Sequence, residues 1–308
     1  MNRYFLSIMG SYVDHYYRTN AFPEEGDFAH AEFITYSAGG CPLNVAAIAA
    51  AKGIEVKALD MLGKQEETTP FLINEMRRLG IDTDPIQIKE GVTNGKVLIF
   101  LSGDNRTMFL LDPKRPHYDV DEKMQELLNG AGYIYTLMHM INRSFSSIDP
   151  LLEAKRNGAK IILDGSSLYD DPSRTEILYA LCDGLFINEK SYERLTEASE
   201  KDPKELFFEN GGEFIVITEG SRGSTLHLKD RTVFKPSLSN LEVLDSTGAG
   251  DAFAGCFIAA LMSGYDYEKA LSLATVNGAY ACTVFGGLGG VADFDTLFTF
   301  AKEHNYEL

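Results

Sequence analysis

The run from Asp245 to Phe257, Asp-Ser-Thr-Gly-Ala-Gly-Asp-Ala-Phe-Ala-Gly-Cys-Phe, restricts what this chain can fold into more than any other stretch. Val243 and Leu244 lead into it like the end of a strand. Phe253, Phe257, Ala260 and Leu261 then recur at i, i+4, i+7 and i+8, the spacing of one buried helix face. Gly264 is the expected stop. Gly248-Ala249-Gly250 thus falls where a helix begins, with unpaired N–H groups and the positive end of the helix dipole. Small residues there let an anion reach the backbone, which is the basis of a phosphate site. Asp251 follows in the first turn. A carboxylate beside an anion hole can take a proton from a hydroxyl while the amides steady a transferring group. Alone, a Gly-x-Gly-Asp is also an ordinary tight turn with a helix-favouring carboxylate, so the pattern needs a second half.

That half lies far upstream, at Ser37-Ala38-Gly39-Gly40-Cys41-Pro42-Leu43-Asn44. Two glycines at a helix entrance let backbone approach a ligand, and Asn44 offers a donor and an acceptor from the first turn. A polyol needs such two-way hydrogen bonding. In isolation the segment is equally a flexible turn with a helix-start Asn.

Between and beyond these segments, strand-like and helix-like stretches alternate. Helices are expected over 42–52, 71–79, 148–157, 174–182 and around Ala274–Tyr280. Strands are expected over 56–62, 133–137, 160–163, 184–187 and 214–218. Such alternation predicts a mostly parallel sheet with helices on both faces. Residues 11–38 lack a helical period, and 97–101 with 106–111 flank Ser102-Gly103-Asp104-Asn105 as a hairpin does. The segments at about 11–38 and 91–115 are expected to form a small β lid. A second hairpin is expected at 225–229 and 232–235. No linker divides the chain, so the expectation is a single domain over 1–308.

Composition excludes several classes. A formal charge of −17 leaves no basic stripe for nucleic acid or an anionic membrane. It does not exclude a nucleotide, because helix N-termini and Mg²⁺ hold phosphates locally. The apolar run Tyr4–Met9 is too short for a signal-peptide core, and no stretch reaches the roughly 18–20 apolar residues that span a bilayer. Cys41, Cys182, Cys256 and Cys282 form no Cys-x-x-Cys, which fits reduced thiols in a cytoplasm. The histidines show no metal-ligand spacing, and Asp14-His15 reads as a loop or strand pair.

The 245–257 run resembles the C-terminal signature of the ribokinase-like (PfkB) carbohydrate kinases, and 37–46 is similar to the N-terminal signature of the same family. The order Asp14, Gly39-Gly40, Asn44, Asn188, Gly220, Asp251, Asn277 matches throughout, so the resemblance covers essentially the full length. It implies an ATP-dependent kinase with Asp251 as base and Gly248, Ala249 and Gly250 as anion hole. Gly10 matches a Gly at a strand end. Asp14, Gly39, Gly40 and Asn44 would hold the acceptor; Asn188, Thr218, Gly220, Gly223 and Asn277 would approach the nucleotide. It also implies Mg²⁺ with ATP, a monovalent cation such as K⁺ near Asp245 and Thr247, and pairing of two copies through the lid.

Two departures stand out. The family has Asn-x-x-Glu where this chain has Asn188-Glu189-Lys190-Ser191, which puts Mg²⁺ binding in question; Glu189 and Glu193 are the nearby carboxylates. Asp164-Gly165-Ser166-Ser167 offers serines where many sugar kinases of the family carry an Asn. The acceptor stays open between a small unphosphorylated sugar of fructose or ribose type and a nucleoside. Tyr12, Tyr16, Tyr17 and Phe22 serve either as a stacking wall or as lid packing. Arg18 and Arg106 are candidates for a phosphosugar but fit no pattern. A catalytically weakened binding protein on the same fold is a third reading. Gly287-Leu-Gly289-Gly-Val-Ala292 imitates a dinucleotide fingerprint, but too few residues follow it to complete that unit.

Overall fold

The computed structural model describes residues 3–103, 105–166 and 179–308. β1 (Phe5–Ile8) comes first, followed by an antiparallel pair, β2 (Tyr12–Thr19) and β3 (Ala31–Gly39). β4 (Val56–Leu59), β5 (Met61–Gly63), β6 (Ile81–Asp82) and β7 (Gln87–Lys89) come next, then the hairpin of β8 (Gly95–Ser102) and β9 (Asn105–Leu111). β10 (Tyr133–Leu137), β11 (Lys160–Asp164), β12 (Gly184–Asn188), β13 (Phe214–Thr218), β14 (Gly223–Leu228) and β15 (Thr232–Pro236) complete the set among the described residues.

The large sheet has the order β15-β14-β13-β12-β11-β10-β1-β4-β6. Its strands are parallel from β6 to β13, and β14 and β15 turn antiparallel at the edge. Strand order reverses at β1, which β10 and β4 flank, and ligands of open α/β sheets bind outside the carboxyl ends at such a switch. Buried parallel strands read as continuous apolar runs, and here alternate side chains serve opposite faces. Phe186, Phe214 and Val216 join one core with the Cys41–Ala50, Ala249–Met262 and Tyr267–Ala281 helices, while Leu185, Ile187, Ile215 and Ile217 join the other. Each such side chain stabilises by about 1.5–3 kcal/mol.

The segments expected outside this sheet meet in a separate four-stranded one, ordered β3-β2-β8-β9, with β2 and β8 parallel. It connects to the large sheet through Met9–Ser11 after β1 and through Gly40 before the Cys41–Ala50 helix.

Several expectations need correction. Val243 and Leu244 do not end a strand; they lie in an irregular loop, 60% and 63% exposed. The expected 56–62 strand is cut at the fully buried Asp60, whose carboxylate takes hydrogen bonds from Ser11, Met61 and Arg115. The Ala249–Met262 helix buries far more than one face: every residue from Ala252 to Ala260 is buried, because the Cys41–Ala50 and Tyr267–Ala281 helices flank it. Gly255 permits that closeness, since a Cβ there would stand 2.6 Å from the Val45 carbonyl oxygen. The 174–182 helix lies outside the described residues except at its end, as does Ser167.

Candidate active site

Gly248 caps the Ala249–Met262 helix at φ +77°, a left-handed conformation suited to glycine. A Cβ at Gly248 would also lie 2.2 Å from the Gly287 carbonyl oxygen, whereas one at Gly250 would meet nothing within 4 Å. The helix entrance is therefore bare backbone on one side and open space on the other. The Gly287–Gly290 run that imitated a dinucleotide fingerprint packs under this entrance instead. No strand precedes it, and the Gly290 carbonyl accepts from Asn277 Nδ2 at 2.9 Å.

Asp251 stands one turn into the helix, and its Oδ2 accepts from Asn44 Nδ2 at 2.7 Å. The two signature segments thus converge on one hydrogen bond. Burial pushes the Asp251 carboxyl up to about 6, against the donors Cys41 and Asn44 and with help from the charges of Asp164 and Asp14. A carboxylate titrating there is ionised at neutral pH yet remains a useful proton acceptor. Cys41 extends the network: its Sγ lies 3.3 Å from Tyr135 Oη, which donates to Asp164 Oδ2 at 3.3 Å. Burial likewise raises the Asp164 carboxyl.

The other wall is formed by Asp14 on β2, opposite Ser37 on β3. A Cβ on Gly39 would fall 2.2 Å from Asp14 Oδ2, and one on Gly40, at φ +107°, would fall 2.6 Å from the Gly10 carbonyl oxygen. Both glycines are thus required by close approach. Burial pushes the Asp14 carboxyl up to about 6 as well. Asn44 is 7% exposed, and its Oδ1 has no hydrogen-bond partner. One N–H of its amide is committed to Asp251, and its carbonyl oxygen is left without a donor.

On the far side of the helix entrance, a cavity of about 580 Å³ is lined by Thr218, Gly220, Gly223, Ala249, Gly250 and Phe253 among others. That is the size of an ordinary ligand pocket, and Leu238, Leu241 and Val243 make much of its wall apolar. Gly223, at φ +131°, would put a Cβ 2.1 Å from the Lys235 carbonyl oxygen, so this turn admits only glycine without rearrangement.

Two expected nucleotide contacts do not line this cavity. Asn188 turns its side chain back to cap the following helix, accepting from Ser191 N at 2.9 Å. Asn277 is fully buried on Gly290, and its helix neighbours Thr275, Gly278 and Ala279 line the cavity in its place. Ser191 is buried and donates to the Ser166 carbonyl at 3.0 Å, so it does not stand in for a carboxylate. Glu189 is ion-paired with Arg222, and Glu193 is exposed. Among the described residues no three His, Cys, Asp or Glu side chains converge on a metal position.

Asp245 Oδ1 accepts from Thr247 N at 2.9 Å and Thr247 Oγ1 at 2.7 Å, and Oδ2 accepts from Gly286 N at 3.0 Å. Burial works to raise its carboxyl, but these donors and the Arg106 guanidinium 3.7 Å away outweigh it and leave it below the usual range. Arg106 reaches across from β9 and also donates to Thr247 Oγ1. The charge of Asp245, where a monovalent cation was expected, is met in this structure by Arg106. Of the aromatic residues at 12–22, Tyr12 and Tyr16 are 8% exposed and Tyr17 stacks on Phe100 at 5.2 Å within the separate sheet, whereas Phe22 lies past the end of β2 and is 36% exposed.

The sequence profile of the pfkB family carbohydrate kinases matches residues 5–291. A deoxyribokinase of Salmonella typhi is 24% identical, with 90% of this chain and 92% of that protein aligned. A nucleoside kinase of Methanocaldococcus jannaschii is 22% identical over 95% of this chain and 94% of its own length. The fold is that of an Arabidopsis thaliana ribokinase solved with ribose and ATP, at a TM-score of 0.85, 21% identity and coverage of 98% and 99%. Among the described residues no helix is long and apolar enough to cross a membrane.

Proposed function

The chain belongs to the pfkB family of carbohydrate kinases and is an ATP-dependent kinase; we propose that it phosphorylates a hydroxyl of a small sugar, fructose- or ribose-like, with Asp251 as base. The observation that carries this reading is the Asn44–Asp251 hydrogen bond of 2.7 Å at the mouth of the glycine-lined helix entrance. It leaves one base, one unpaired acceptor and one anion hole around a common point.

In this reading the apolar cavity takes the nucleotide base, with Thr218, Gly220 and Gly223 at its turn. The phosphates extend to the amides of Gly248, Ala249 and Gly250, which stabilise charge developing on the transferring group. Asp14 and Asn44 fix the acceptor hydroxyls, and Asp251 receives the proton of the attacking one. Mg²⁺ bound with ATP would supply charge neutralisation on the phosphates, and K⁺, if held near Asp245 and Thr247, would order the loop before the anion hole. The four-stranded sheet acts as a lid that excludes water. Its exposed Phe33, Tyr36, Met108 and Phe109 support pairing of two copies through that sheet. Four unpaired cysteines support a reducing, cytoplasmic setting.

The nucleoside reading keeps support from the M. jannaschii relative. ADP release measured against sugars, phosphosugars and nucleosides decides between them. Release with nucleosides alone overturns the sugar, and release with none overturns the kinase assignment.

A further inference from the structure

A cavity of about 380 Å³ opens beyond Tyr12 and Met140, walled also by Arg115, His117, Asn142 and Arg143. It shares no lining residue with the nucleotide cavity. Tyr12 and Met140 are the side chains that press on the acceptor glycines. A Cβ on Gly10 would stand 2.9 Å from Met140 Cε, and one on Gly40 would stand 3.4 Å from Tyr12 Cδ2. The cavity therefore adjoins the acceptor end of the site.

Its polar side chains include two guanidiniums, Arg115 and Arg143. Arg115 is held from behind: Nη1 donates to the fully buried Asp60 at 2.7 Å and Nη2 to the Ser11 carbonyl at 3.3 Å. The Arg115 side chain is only 10% exposed, and its buried Nε has no hydrogen-bond partner. A buried guanidinium donor without an acceptor is costly and calls for one. Arg143 donates from Nη1 to Asp112 at 2.9 Å, and Asp112 also accepts from the Tyr12 hydroxyl at 3.3 Å. Asp60 is committed behind Arg115. Each guanidinium thus has one carboxylate, and what stays without an acceptor is Arg115 Nε; guanidinium geometry matches a further carboxylate or phosphate.

We propose that this cavity is an oxyanion-binding extension of the acceptor site. The acceptor it selects is a sugar bearing a carboxylate or a phosphate at the end away from the reacting hydroxyl. This inference rests on the kinase reading and narrows its substrate class.

The test is calorimetry on the full chain without ATP. D-ribose and D-glucose are each compared with their aldonate and their terminal phosphate. At least one anionic sugar binds about tenfold or more tightly than its neutral parent, the scale of one charge-assisted hydrogen bond. Aldonates alone gaining identifies a carboxylate, and phosphates alone gaining identifies a phosphate. Arg143→Gln collapses the ratio of anionic to neutral affinity. Arg115→Lys keeps a charge on Asp60 while removing Nε and reduces the same ratio, with thermal melts confirming that both variants fold. Equal affinity for neutral and anionic sugars, or ratios unmoved in both variants, overturns the proposal. ADP release is read separately. Tight anionic binding with no turnover breaks the kinase reading and leaves this site standing, whereas turnover of neutral sugars without preference does the reverse.

Discussion

The two ends of the proposed cleft differ in what lines them. At the proposed acceptor end, Gly39 lies under Asp14, Gly40 against Gly10, and a Cβ at either would overlap its neighbour. At the proposed nucleotide end, Gly223 and Gly248 are equally crowded, but Gly220 and Gly250 face open space and the wall is largely apolar. The acceptor end carries two carboxylates with raised pKa and an asparagine with an unpartnered carbonyl oxygen, each fixed in direction. The open end offers amides and greasy surface. Discrimination by buried hydrogen bonds is severe and discrimination by apolar contact is mild. On the proposed assignment of the two ends, substrate choice would be made at the glycine crossing and the nucleotide end would be comparatively tolerant.

The strongest way to break this contrast is Asp251→Asn. It keeps the size and the Asn44 contact but removes the base, and kcat should fall by about 10²–10⁴-fold with ATP affinity little changed. Near-normal turnover in the purified variant removes Asp251 from its role. The wild type carries the matching pH signature. With Asp251 titrating at about 6, kcat/KM should fall in acid along a limb near pH 6. The sign for stability is opposite. The raised folded-state values of Asp251 and Asp14 favour the fold in acid, and this contribution is lost as pH rises from the ordinary 3.8 through about 6. Melting temperatures measured across that window check it.

Next in size, Asp14→Ala and Asn44→Ala should raise the acceptor KM by about 5- to 150-fold, from 1–3 kcal/mol per unpaired group. The ATP KM should barely move. Equal rises in both constants would erase the distinction between the two ends. Gly250→Ala sharpens it from the other side. Open space accepts the methyl and helix propensity gains up to about 1 kcal/mol, so the melting temperature holds or rises. The ATP KM should nevertheless climb about tenfold, the equivalent of ~1.4 kcal/mol, because the methyl intrudes where the anion approaches. An unchanged ATP KM places the phosphates elsewhere. The smallest effect is ionic: K⁺ should exceed tetramethylammonium in supporting turnover at matched ionic strength, and equal rates count against a cation at Asp245.

Local patterns in the sequence carried much of this. The alternation of apolar runs foretold a parallel sheet, and the glycine runs at 39–40 and 248–250 foretold bare backbone, because both are written in contiguous residues. What pairs distant residues was not legible. Nothing near Arg115 announces Asp60, and nothing near Arg143 announces Asp112. Asn188 and Asn277 were assigned by their place in a motif, yet an asparagine spends its side chain on whichever partner lies closest, here a helix cap and a loop carbonyl. The helix at 249–262 read as one-faced because its small residues, Ala252, Ala254 and Ala259, look neutral until a second helix closes over them.

The parallel pairing of β2 with β8 has a kinetic side. Tyr12 aligns with Gly95, so this register closes only after the stretch holding the Cys41–Ala50 helix and β4 has been looped out. Loop closure of that length is entropically uphill until packing offsets it, and non-local pairings of this kind slow folding. The small sheet is thus expected to assemble late, on a large sheet already in place, and to be the first unit lost on partial unfolding. Excised from the chain, its two halves would be a pair of unrelated hairpins with no covalent reason to find each other.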